Sequence, residues 1–343
     1  MMYDELMSTP EECTRNIISI LRGNRVPFIQ GSPGIGKSDI VKGVADHYNL
    51  KIIDIRLSQV EPTELLGYPF LDGEKCDYKP LKYFPLEGDP VPNGKNGWLL
   101  FFDELNSASR DVQAAAYRVL LDREIGNNKL NNNCYVVAAG NLSTDKAIVN
   151  KLSSALQSRL IHLFVQPNVD SWLEWAYKND IDYRIVAFLN QRKDLLWKFD
   201  PSSQDVTYPC PRTWHMMSDV IKGTEDLTDL GKVMRGTIGQ GTAIEFKTYT
   251  ELAKDLPTIK EVLTNPASAK LPVNTGGKYY MTALLAVHMD KNNWQSVLTY
   301  AHRLSAEFLT VLFKMSLKGA HGAELKKCSG LIQEARSYVA EYL

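Results

Sequence analysis

The chain has 343 residues, 44% hydrophobic and 23% charged, ordinary values for a water-soluble globular protein with room for two or three domains. Thirty-nine Lys and Arg against forty Asp and Glu leave a net charge of −1, which excludes a chain-wide basic field advertising nucleic-acid binding. Five scattered cysteines without a C-x-x-C (Cys13, Cys76, Cys134, Cys210, Cys328) and six scattered histidines without an H-E-x-x-H exclude a disulfide framework and offer no metal-ligand spacing.

The opening stretch, "MMYDELMSTPEECTRNII", is acidic and lacks a basic segment followed by an apolar one, so it does not read as a signal peptide. No run reaches the ~18 apolar residues of a membrane span, and the expected compartment is the cytoplasm. From residue 26 to about 165, short apolar runs alternate with helical patterns, which predicts a parallel α/β sheet. Its strands are "VPFIQ", "KIIDIRL", "WLLFF", "CYVVAAG" and "IHLFV", apolar enough to be covered by helices on both faces.

The first strand runs into "GSPGIGKSD". Gly31-x-x-x-x-Gly36-Lys37-Ser38 between a strand and a helix start fits the phosphate-cradling Walker A loop, formed here by Gly31, Ser32, Pro33, Gly34, Ile35, Gly36, Lys37, Ser38 and Asp39. Lys37 is expected to neutralise phosphate charge and the Ser38 hydroxyl to sit on Mg²⁺. Further on, "YPFLDGEKCDYKPLKYFPLEGDPVPNGKNG" (68–97) is too long for a simple connection, and its first half predicts a hairpin around Asp72-Gly73.

"WLLFFDEL" ends a buried strand on Asp103 and Glu104, where open α/β sheets bind ligands. That pair suits a Walker B, with Asp103 holding the Mg²⁺ shell and Glu104 acting on the attacking water. Asn141 at the end of "VVAAGN" either caps the next loop or orients water against a γ-phosphate. Arg159, before the last strand, is either a surface charge or a finger inserted into a neighbour's nucleotide. After Pro167 the strands stop and helices with loops follow. There Arg212 stands at a helix start, the end arginine disfavours, which suggests that it serves an anion outside the helix. The expected organisation is an ATPase core over 1–167 and a helical region over 168–343.

In order, these residues resemble the Walker A, Walker B, sensor 1, arginine finger and sensor 2 of the AAA+ ATPases. The resemblance covers about residues 15 to 260 and is nearest to the MoxR-type branch. "SQVEPTELLGYPF" with the hairpin and "YKPLKYFP" is similar to that branch's helix 2 insertion, here about 58–84. "NSASRDVQAAAYRVLLDREI", "ALQSRL" and "GQGTAIEF" are similar to other segments of the branch. The family's Asp-Arg-Phe at the finger is here Ser158-Arg159-Leu160, and Arg118 and Arg123 compete for the role. The resemblance implies a P-loop core with a five-stranded parallel sheet, a helical lid and a C-terminal helical extension. It also implies ATP and Mg²⁺ as cofactors and a homo-hexamer with ATP between subunits. The implied target is a protein partner, such as one with a von Willebrand factor A domain, contacted through the insertion. A DNA-directed motor is the alternative, for which Lys75, Tyr78, Lys79, Lys82, Tyr83 and Phe84 would supply basic and aromatic contacts.

Overall fold

The computed structural model describes residues 4–145, 150–200, 202–203 and 205–340; the first three residues of the opening stretch and the last three of the final helical pattern lie outside them. The chain divides into two compact units, Met1–Gln166 and Pro167–Leu343.

The first unit begins with β1 (Met7–Ser8) and α1 (Pro10–Arg22). A capping box closes the start of α1: the Thr9 hydroxyl accepts from the Glu12 amide and the Glu12 carboxylate accepts from the Thr9 amide. Cys13, Ile17 and Leu21, one helical turn apart, bury one face of the helix. Next come β2 (Pro27–Gln30), α2 (Lys37–His47), β3 (Leu50–Arg56), α3 (Pro62–Leu66), the hairpin β4 (Tyr68–Asp72) and β5 (Lys75–Lys79), and β6 (Gly97–Asp103). The unit closes with α4 (Arg110–Leu121), a second hairpin β7 (Glu124–Ile125) and β8 (Asn128–Lys129), β9 (Cys134–Gly140), α5 (Ser154–Gln157) and β10 (Ile161–Val165).

The main sheet is parallel, in the order β1-β10-β2-β9-β6-β3. It has six strands where the sequence suggested five. The extra one is a two-residue edge, Met7↔Phe164 and Ser8↔Val165, too short to show any alternation of its own. "KIIDIRL" also differs from expectation. It forms the opposite edge, and its Lys51, Asp54 and Arg56 are exposed rather than covered on both faces. The inner strands do match the apolar pattern: β6 is buried up to Phe102, and β9 is buried apart from Tyr135. Because β2 lies between β9 and β10, the carboxyl ends of β2, β9 and β6 open side by side at one rim, the position where such sheets bind ligands.

The first hairpin turns at Gly73-Glu74, with Asp72 opposite Lys75 and Gly73 at φ 64°. All of its residues are exposed except the half-buried Asp77. The second hairpin rests on the first. A Cβ at Gly126 would come within 2.9 Å of the Tyr78 Cβ, and Asn127 donates to Asp77 Oδ1 at 2.7 Å.

The described residues of the second unit form helices and loops, beginning with α6 (Val169–Lys178), α7 (Tyr183–Gln191) and α8 (Pro211–Ile221). Its core contains the fully buried Trp214, Phe246, Tyr300 and Phe313. Arg184 is buried in a two-pronged pair with Asp182 and also donates to the carbonyls of Ile221 (2.9 Å) and Thr224 (2.7 Å), tying the start of α7 to the end of α8. Glu174 on α6 is paired with Lys314 and Lys318.

Candidate functional site

The loop after β2 is shaped by its glycines. A Cβ at Gly31 would lie 2.4 Å from Ile35 Cδ1 and 2.8 Å from the Val165 carbonyl, so only glycine lets the chain leave the sheet there. Gly34 and Gly36 take φ of 79° and 97°, and nothing lies within 4 Å of where a Gly36 Cβ would stand. Ser32 and Ile35 are buried in the loop and Pro33 is half-buried. α2 opens on Gly36 with no side-chain cap, so no side chain accepts from the main-chain amides at its start. Asp39 is exposed in the first turn, 3.7 Å from the Lys42 ammonium. An open, glycine-lined helix start of this kind fits a phosphate group.

Lys37 turns back under the loop and is 9% exposed. Its Nζ donates to the carbonyls of Gly31 (2.7 Å) and Ser32 (3.1 Å) and to Asn141 Oδ1 (3.1 Å). Ser38 Oγ lies 3.4 Å from Asp103 Oδ2 at the end of β6. A hydroxyl and a carboxylate at this spacing, both oxygen donors, fit a hard cation such as Mg²⁺. Asp54 on β3 keeps much of its surface open to solvent, yet the atoms packed around its carboxyl, and then the charge of Asp103, push it up, against Arg56 and Lys42.

Glu104 is left-handed at φ 58°, one of five such non-glycine residues among those described, a conformation that costs of order 1–3 kcal/mol and persists where surroundings enforce it. Its amide donates to Asp103 Oδ1 at 2.8 Å and its carboxylate accepts from the Ser58 hydroxyl just beyond β3.

The structure thus brings Lys37, Ser38, Asp103 and Asn141 together from three separate strand ends. Arg159 is elsewhere. It is exposed, its guanidinium lies 5.4 Å from the centre of the Tyr117 ring on α4, and Nη1 donates to the Tyr117 hydroxyl. Of its two competitors, Arg118 pairs with Glu124 at 3.0 Å, and Arg123 is turned onto the carbonyls of Asn131 and Cys134. Arg212 belongs to the second unit, exposed in the first turn of α8, and has no hydrogen-bond or ion-pair partner among the described residues.

Three residues in contact with this machinery were not singled out in the sequence: Ser58, Asn106 and Tyr117. Asn106 alone left a local trace, a short amide two positions after Glu104 inside an otherwise apolar and small-residue stretch.

The family model of the AAA domain, dynein-related subfamily, matches residues 27–160, from the first residue of β2 to the residue before β10. The chain carries an AAA+ ATPase domain. No curated protein sequence matches the chain. Among solved structures, a candidate ATPase from Cytophaga hutchinsonii is 14% identical over 96% of this chain and 90% of its own, at a TM-score of 0.37. NtrX from Brucella abortus, crystallised with ADP, is 16% identical over 94% of this chain and 68% of its own, at 0.37. A RuvB variant from Thermotoga maritima is 16% identical over 95% and 90%, at 0.36. All three likenesses are distant. The AAA+ domain accounts for nucleotide binding and for ATPase activity, and no helix among the described residues is long and apolar enough to cross a membrane.

Proposed function

We propose that this AAA+ protein works as a ring, binding ATP with Mg²⁺ in each core and completing the site with an arginine from the next copy. In this reading the cycle remodels a protein partner, as in the MoxR-type branch that the sequence resembles. The observation that carries the reading is the meeting of Lys37, Ser38, Asp103 and Asn141 at one sheet rim. Lys37 holds β- and γ-phosphate oxygens, Ser38 and Asp103 hold the metal shell, Asn141 orients the attacking water, and Glu104 takes its proton. The ion, when bound, draws charge from the phosphate oxygens.

The case for a trans-acting Arg159 is its position. It is exposed and bound to Tyr117, whereas Arg118 and Arg123 are engaged by Glu124 and by main-chain carbonyls. Arg212, without a hydrogen-bond or ion-pair partner among the described residues, is read as a further anion-sensing group. A protein partner is favoured over nucleic acid by the first hairpin, whose exposed Tyr68, Phe70, Leu71 and Tyr78 are interspersed with charges of both signs.

The test is turnover per subunit against protein concentration, with and without Arg159→Ala. Activity should rise with concentration as copies meet. Arg159→Ala should bind nucleotide yet lose turnover, up to the ~10³-fold scale of arginine fingers. Adding a Lys37→Ala protein, which still carries Arg159, should restore part of it. Concentration-independent turnover, or an Arg159→Ala protein with full activity, refutes the shared site.

A further inference from the structure

Asn106 lies in the short turn Leu105–Ser107 beyond the Asp103-Glu104 pair and is 4% exposed. Its side-chain amide is spent on the main chain of a single residue, Asn141. Oδ1 accepts from the Asn141 amide at 3.0 Å and Nδ2 donates to the Asn141 carbonyl at 2.7 Å. Both bonds exist in only one orientation of the amide, since a flipped group would set donor against donor. The pairing begins where the β6–β9 ladder has ended, at Phe102↔Ala138, so the side chain continues the ladder as a substitute peptide.

The approach requires a glycine. A Cβ at Gly140 would stand 2.3 Å from Asn106 Oδ1. Asn150 is held to the same turn: the Asn106 carbonyl accepts from the Asn150 amide at 2.6 Å, and Asn150 Nδ2 donates to the Ala108 carbonyl at 2.8 Å. Asn141 and Asn150 are therefore both fastened to residues 106–108. With both main-chain groups of Asn141 fixed, its side chain has few directions left, and the one it takes leads to Lys37.

We infer that Asn106 is a positioning residue for hydrolysis, which sets the Asn141 side chain at the phosphate end of Lys37 by gripping the Asn141 backbone. The inference rests on the reading of Asn141 as the group that orients the attacking water. Both ends of the Asn106 side-chain amide are taken up by the Asn141 main chain, so it acts through that residue. Its chemical contribution is geometric, and it ties the strand end that carries Asp103 to the strand end that carries Asn141.

The experiment is a double-mutant cycle on turnover. Asn106→Ala removes the grip. Asn106→Asp keeps the side-chain volume and the acceptor for the Asn141 amide but puts an oxygen against the Asn141 carbonyl, and it serves if the alanine protein does not fold. Each should lower kcat by about 10–100-fold, the scale seen when supporting groups around a site are removed, while KM and the affinity for a fluorescent ATP analogue move by less than about threefold. In an Asn141→Ala background the same changes should cost less than about twofold more, because the residue through which Asn106 acts is gone. Hydrogen exchange at the Asn141 amide should accelerate in Asn106→Ala at an unchanged global unfolding midpoint. An equal fold-loss with and without Asn141, or an unchanged kcat in the Asn106 variants, overturns the inference alone. An Asn141→Ala protein with full turnover overturns the reading of Asn141 and takes this inference with it.

Discussion

Replacing Lys37 by methionine keeps the unbranched stem under the loop and removes the ammonium. In the folded protein that ammonium is 9% exposed and donates to the Gly31 and Ser32 carbonyls and to Asn141 Oδ1. Two effects of opposite sign follow for stability. Acceptors lose a donor, at about 0.5–1.5 kcal/mol each, but a desolvated charge, which is costly to bury, disappears. The unfolding midpoint should therefore shift little. Nucleotide binding has no such offset. A hydrogen bond to a charged group is worth about 1.5–3 kcal/mol net, and each 1.4 kcal/mol is a factor of ten. Kd for a fluorescent ATP analogue should rise about 10–150-fold on these figures, measured by titration beside a urea melt of the same preparation. Affinity within twofold of the parent protein, with the fold intact, would refute the assignment of Lys37 to the phosphates.

Glu104→Gln should keep nucleotide affinity and slow phosphate release by about 10²–10⁴-fold, the loss typical of a missing general base, as read in a coupled phosphate assay. Arg184→Met leaves Asp182 charged and buried and strips donors from the Ile221 and Thr224 carbonyls. It should destabilise the second unit by about 3–5 kcal/mol in a denaturant titration. Glu174 is resisted by burial, yet Lys318 and Lys314 hold its carboxyl below the ordinary value of 4.5. Its contribution to stability is therefore present above about pH 4.5 and lost as pH falls through the lowered value, so Glu174→Gln should flatten the acid limb of the urea midpoint against pH.

The parts of the fold that were readable in the sequence are those governed by local chemistry. Gly31, Gly34 and Gly36 announce a loop that needs positive φ and close approach, and the buried runs of β6 and β9 announce inner strands. Asp72-Gly73 marks a turn because Gly73 takes φ 64° at no steric cost. The rest depends on pairing across long chain separations. β1 exists only because β10 is beside it, and nothing in "KIIDIRL" states that β3 stands at the sheet's edge with its charges uncovered. In the site, the glycine loop and the carboxylates could be read from spacing. The grip of Asn106 on Asn141, 35 residues away, and the seat of Arg159 on Tyr117, 42 residues away, could not.

The two borders of the sheet bear on solubility. An unpaired strand is a template for another chain, and a protein proposed to gather many copies at close quarters meets that hazard continually. One border is only Met7–Ser8, too short to seed a ladder. The other, β3, is seven residues long but carries the exposed Lys51, Asp54 and Arg56, charges that an incoming strand would have to desolvate. In the ring proposed above, copies of this chain could thus lie close together without their sheets fusing into fibrils.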